Sequence, residues 1–273
     1  MSLQFDLFAA GVLAPGIDTL ADLFALSRSA MASGASAALP APDALPANER
    51  RRASQVVRLT LACAERALAS SPFPVEHLRM VFASDEGTGE VCQQMLETLS
   101  TTRLVSPLLF HNSVHNAPSG YFSIAHRNRQ SATSVSMGTQ SFAAGLLCAA
   151  TEACSTGQPV LLLAYDPPMS APLSTLLPVT QATASAWVIA AGGGPASIPM
   201  ASFALSLHAC ADGAQPPRLP WLPSAWAFNS SADSFEALCL LDDDAPQRRV
   251  CDFRLGAQLL RLERLDGRPH VDA

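Results

Sequence analysis

Pro159 is followed by Val160-Leu161-Leu162-Leu163-Ala164-Tyr165, and Ala184 to Ala191 is a second unbroken apolar run. A strand with one wet face alternates apolar and polar residues. A run without alternation has both of its faces buried. Helix-period segments precede and separate these runs. Strands of this kind alternating with helices predict an α/β layer structure in which helices cover both faces of one sheet. Hydrophobic content of 49% against 15% charged residues supports a core of that size.

Further elements follow from local chemistry. Leu3 to Leu13 reads as a first buried strand ending at Pro15-Gly16, with Asp18 as the N-cap of a helix through Leu26. Ser33 to Pro46 is an Ala/Pro/Ser-rich loop. Asn48 to Ala69, basic at its start and apolar after it, predicts one long helix. Leu78 to Ser84 is a short strand, and a helix follows from Val91 to Thr101. Gly87-x-Gly89 between them is read as a structural turn, because Asp85, Glu86 and Glu90 would repel phosphate. Asn116 to His126 is a helix, Ala132 to Gly138 a strand, and Gln140 to Thr156 a helix of small residues stopped by Gly157. The composition shifts at Gly192-Gly193-Gly194-Pro195. A strand near Ala201 to His208, a Pro-rich loop through Pro223, a helix from Ser231 to Leu241 and one strand-like run from Phe253 to Leu265 complete the chain. The expected organisation is a main domain over 1–192 and a shortened extension over 193–273 on the same core.

Composition excludes several chemistries. The net charge of −6 argues against a nucleic-acid partner. All 17 basic residues are Arg, so a Schiff-base, pyridoxal or P-loop lysine is impossible. The seven Cys form no Cys-x-x-Cys pair, which points to reduced thiols in a cytoplasmic setting, with no metal and no cofactor. Cys148 and Cys154 read as buried small hydrophobes. The apolar start, Phe5 to Ala14, lacks a basic leader, and no run is long enough to span a bilayer.

The segments Phe110-His111-Asn112-Ser113-Val114-His115-Asn116-Ala117-Pro118-Ser119-Gly120-Tyr121 and Ala132-Thr133-Ser134-Val135-Ser136-Met137-Gly138-Thr139-Gln140-Ser141-Phe142 resemble the active-site stretch of β-ketoacyl synthases. The resemblance covers roughly residues 1–192. It is most similar to the short synthase-like N-terminal domain proteins called chain length factors, which occur in aryl polyene-type clusters. It implies a thiolase-type layered fold, the N-terminal half of a ketosynthase with a truncated remainder. It places Thr139 where such enzymes carry a nucleophilic Cys. Chain length factors carry Gln at or beside that position, and Gln140 follows Thr139 here. The lysine and the His-Gly-Thr-Gly-Thr motif of condensing enzymes are missing, and the only His beyond the elbow are His208 and His270.

The resemblance therefore implies a non-catalytic subunit in a heterodimer with an active ketosynthase, with acyl carrier protein engaged indirectly. His111, His115, Asn116, Gly120, Tyr121 and Val135 are its interface candidates. His111 and His115, one helical turn apart, have an interface or structural role rather than a metal-binding one. Thr139 and Gln140 are expected at a sharp turn facing a small internal cavity, with Gly138 permitting a left-handed backbone. Tyr121 and Phe122 pack at a helix interface, and Arg127 and Arg129 are candidates for carrier docking. An acyltransferase or thioester hydrolase using Thr139 or Ser141 is the enzymatic alternative, and a homodimeric acyl-binding module is a third.

Overall fold

A computed structural model describes residues 2–29, 39, 41–192, 198–210, 220–245 and 248–265. Half of the Ser33 to Pro46 loop, the Gly193-Gly194-Pro195 part of the composition shift, most of the Pro-rich loop and His270 lie outside the described residues.

One eight-stranded sheet runs through the chain in the order β3-β2-β4-β5-β1-β6-β8-β7. Its strands are β1 (Ser2–Leu13), β2 (Arg79–Ala83), β3 (Ala132–Val135), β4 (Val160–Asp166), β5 (Thr183–Ala191), β6 (Ala201–Ala209), β7 (Val250–Leu255) and β8 (Gln258–Arg264). β2 is parallel to both β3 and β4, with Met80 opposite Ala132 and Leu161; every other pairing is antiparallel. The unbroken apolar runs are β4, buried at all positions, and β5, buried at all but the last. They occupy the middle of the sheet, where both faces are covered.

The helices are α1 (Leu20–Ser29), α2 (Ala47–Arg52), α3 (Gln55–Leu68), α4 (Gly89–Thr101), α5 (Pro107–Asn112), α6 (Ala117–His126), α7 (Ser141–Thr156) and α8 (Asp233–Leu238). α3 and α6 cover one face: Val57, Leu61, Ala64 and Phe122 pack with Phe82, Leu161, Leu163 and Val188. On the other face α7 lies between two layers. Phe142, Leu146, Ala149 and Ala153 meet Val81, Val160, Leu162 and Trp187 of the sheet, and the same cluster takes in Trp226, Phe235, Leu238, Phe253, Leu260 and Leu262. Phe142 sits 5.8 Å from Trp187 and, edge-on, 5.4 Å from Phe253. The sheet thus bends β7 back toward α7, and residues beyond 192 join the core of the rest. Small residues let α7 lie deep: a Cβ on Gly145 would come within 2.5 Å of the Ala83 Cβ.

Several local expectations change. The N-cap of α1 is Thr19, not Asp18: Asp22 N donates to Thr19 Oγ1 (3.2 Å) and Thr19 N donates to Asp22 Oδ2 (2.9 Å). Asp18 instead pairs with Arg66 (2.6 Å). The long helix over 48–69 is two, because Ala53 is extended and Asn112 Nδ2 donates to the Arg52 carbonyl (3.0 Å). The run Phe253 to Leu265 is the end of β7 plus β8, turned at Gly256 with φ +60°.

Candidate functional site

The parallel strands β2, β3 and β4 end together, and the chain leaves β3 through a tight elbow into α7. The carboxyl ends of such strands are where α/β folds place their sites. Gly138 adopts φ +58°, a conformation that L side chains resist. Gln140 N donates to Met137 O and Ser141 N to Gly138 O, both at 3.1 Å. Ser141 Oγ accepts from Met137 N (2.8 Å) and donates to Gly138 O (2.7 Å). Its hydroxyl is fully buried and spent on closing the elbow.

Thr139 is exposed, and its side chain makes no hydrogen bond among the described residues. The expectation that it faces an internal cavity is not met in the chain alone. The cavity of about 300 Å³ by Leu13, Leu59 and Ala182 and that of about 600 Å³ by Ser27, Cys239 and Arg248 lie elsewhere. Gln140 is half-buried, and its Oε1 accepts the Gly256 N–H at 2.6 Å.

Neither nearby imidazole serves the elbow hydroxyls. His111 is exposed at the end of α5 and stands edge-on to Tyr121, ring centres 6.0 Å apart. α5 ends at Asn112, so His111 and His115 do not share a helical face. His115 Nε2 lies 3.5 Å from the Val135 carbonyl. No group of three His, Cys, Asp or Glu among the described residues is placed to hold a metal.

The interface candidates divide. Asn116 and Gly120 are exposed and His115 is half-buried, whereas Tyr121 is buried in the α3–α6 cluster. Val135 turns partly inward against the α7 cluster. A helix side chain covers the turn before it, and Tyr121 therefore serves the chain's own core rather than its surface. Cys148 and Cys154 are half-buried rather than enclosed. Arg127, left-handed at φ 52° as the C-cap of α6, and Arg129 are exposed at the other end of β3 from the elbow.

One centre escaped the sequence reading. Asp166, buried at the end of β4, accepts from Ser84 Oγ (3.3 Å), Asp85 N (3.2 Å), Ser230 Oγ (3.0 Å) and Ser231 N (2.7 Å). It ties β2 and β4 to the segment that opens α8. An acid closing an apolar run was the available signal. Burial first, then the Asp166 and Glu86 carboxylates, push the Asp85 carboxyl above its ordinary value, and His115 pulls it back. Ser136 Oγ donates to the Asp85 carbonyl (2.8 Å), which binds the start of the elbow to the end of β2.

The family defined by the β-ketoacyl synthase N-terminal domain matches residues 26–240. The chain belongs to that family. The match continues past residue 192, so the family's reach is longer than the motifs alone suggested. Solved structures share the fold. A ketosynthase (ApeO) in complex with its chain length factor (ApeC) from Xenorhabdus doucetiae is 21% identical with a TM-score of 0.71, over 96% of this chain and 100% of that one. The ishigamide ketosynthase/chain length factor is 13% identical with a TM-score of 0.70, over 97% and 100%. A β-ketoacyl synthase from Burkholderia phymatum is 14% identical with a TM-score of 0.61, over 89% and 71%. No curated protein matches the chain. The fold is therefore the thiolase-like one of ketosynthases, and no helix among the described residues is long and apolar enough to cross a membrane.

Proposed function

We propose that this ketosynthase-family chain is a non-catalytic, chain length factor-type subunit that pairs with an active β-ketoacyl synthase in fatty acid or polyketide-type (aryl polyene) assembly. The observation that carries this is the pairing of an elbow without a nucleophile and a free sheet edge beside it. Thr139 stands where the resemblance puts the family's thiol, with no hydrogen bond to a base among the described residues, and Ser141 is committed to the turn. That same use of Ser141 weakens the acyltransferase alternative, since a nucleophilic hydroxyl needs a general base.

β3 is the edge of the sheet. Met80 N donates to Ser131 O and Ser84 N to Val135 O, so Ala132 and Ser134 turn their backbone N–H and C=O outward. An exposed edge of this kind is a template for another strand. Large apolar side chains lie close by in sequence. In α4 only Gly89, Val91 and Gln93 are buried, and in α5 only Asn112, while Leu104 is 74% and Phe110 65% exposed. Exposed apolar surface of this extent marks a protein contact. Complexes of a ketosynthase with its chain length factor are among the solved structures that this chain resembles. Two units, 1–192 and 193–273, sharing one core, a cytoplasmic location and indirect engagement of acyl carrier protein belong to the same proposal. A homodimer is the competing assembly.

Co-expression with the ketosynthase of the same organism tests the pairing. The complex is expected to co-purify and to bury roughly 2,000 Å² or more, and the chain alone to turn over no malonyl- or acyl-carrier substrate. Val135→Asp would disturb the chain's own core, so Ala132→Pro is the cleaner probe: Ala132 is exposed and Pro removes an outward N–H. We expect Ala132→Pro to melt like the parent and to weaken association at least about tenfold, a loss of about 1.4 kcal/mol. Unchanged association, or turnover by the isolated chain that disappears in Thr139→Ala, refutes the assignment.

A further inference from the structure

We infer that Gln140 is a positioning residue, a tether that fixes the turn of the β7–β8 hairpin against the elbow. β7 and β8 are joined through the two residues Gly256 and Ala257, with Leu255 opposite Gln258 and Gly256 at φ +60°. This is the primed geometry that carries Gly at the first central position. In such a turn the N–H of the first central residue has no acceptor within the hairpin. Gln140 Oε1 supplies one at 2.6 Å, across 116 residues of sequence.

Two further observations place the turn beside the elbow. A Cβ on Gly256 would meet the Met137 methyl at 3.9 Å. Deeper in the protein, Phe253 of β7 stands edge-on to Phe142 of α7 at 5.4 Å. The hairpin is thus held to α7 by an apolar contact inside and by a polar one at the rim, next to Thr139. The carbonyl oxygen of Gln140 is engaged by the protein's own backbone. The residue therefore shapes the surface beside the elbow through the hairpin, not by direct contact with a substrate.

Amide hydrogen exchange on the full chain tests this, comparing the parent with Gln140→Leu, which has no acceptor, and Gln140→Glu, which keeps one. The Gly256 amide is expected to exchange about five times faster or more in Gln140→Leu, the factor that one ordinary hydrogen bond carries. Gln140→Glu should restore slow exchange, and the amides of Leu260 and Leu262 within β8 should keep their parent rates in both variants. Gln140→Asn, too short to reach, should behave like Gln140→Leu. Three results overturn the inference: an unchanged Gly256 rate in Gln140→Leu, a Gln140→Glu rate as fast as that of Gln140→Leu, or an equal acceleration throughout β8.

Discussion

Gly145→Ala is the sharpest test of how deeply the elbow helix is seated. Ala is the better helix former, by about 1 kcal/mol in a helix interior, so propensity alone predicts a more stable protein. The fold predicts the opposite. The new methyl would lie 2.5 Å from the Ala83 Cβ and 3.2 Å from Leu162 Cδ1. Carbon atoms in contact need about 3.5–4.0 Å, so α7 and β2 must separate by about 1 Å. Ala83 is a buried strand residue with no rotamer to change, and the strain falls on the packing of Phe142, Leu146 and Ala149. Overpacking of this kind costs about 1–3 kcal/mol. Set against the propensity gain, the net loss is about 0–2 kcal/mol, or a fall in Tm of up to about 4 °C for a chain of this size. Urea and thermal unfolding followed by circular dichroism measure it. Ala83→Gly removes the opposing methyl and is destabilising alone. The double variant should then recover about 1–2 kcal/mol relative to the sum of the two singles. A more stable Gly145→Ala, or strictly additive costs, would refute the seating of α7 on β2.

Two further outcomes follow from the titrating groups. The Asp85 carboxyl is held above its ordinary value in the fold, chiefly by burial. Its ionised form therefore lowers stability above the raised pKa, and that cost disappears as pH falls below the unfolded value of about 3.9. Asp85→Asn should raise the urea midpoint at pH 7 and have little effect near pH 3.5; an equal gain at both pH values would exclude a charge effect. Burial pushes the thiols of Cys63, Cys239 and Cys251 up to about 12. At pH 8 only about one in ten thousand of each is thiolate, the reactive form. Mass spectrometry after brief alkylation should find Cys92, Cys148, Cys154 and Cys210 modified first, with those three reacting only on unfolding. Rapid labelling of Cys63 in the folded chain would sink this.

Much of the framework was legible along the chain. Unbroken apolar runs became the central strands β4 and β5, because only a strand covered on both faces tolerates such composition. Gly138 before a small-residue helix announced the elbow, since a left-handed residue must precede α7 and large side chains would hold that helix away from the sheet. Errors arose where distant residues compete with local preference. Nothing near Ala53 breaks a helix, yet Asn112, about 60 positions away, takes the Arg52 carbonyl and divides α2 from α3. The packing of Tyr121 and Phe122 at a helix interface was expected, but that α3 is the helix they meet is set by the fold.

The sequence by itself determined the layered α/β class, the position of the elbow and the absence of Lys chemistry, because these depend on residue identity and short-range period. Only the tertiary structure decided what surrounds the elbow. Asp166 gathers Ser84, Ser230 and Ser231, the last strands bend back so that Phe253 meets Phe142, and Gln140 reaches Gly256. Each of these contacts joins residues tens to more than a hundred positions apart. Their partners are set by which faces the sheet brings together, and a linear pattern does not encode that.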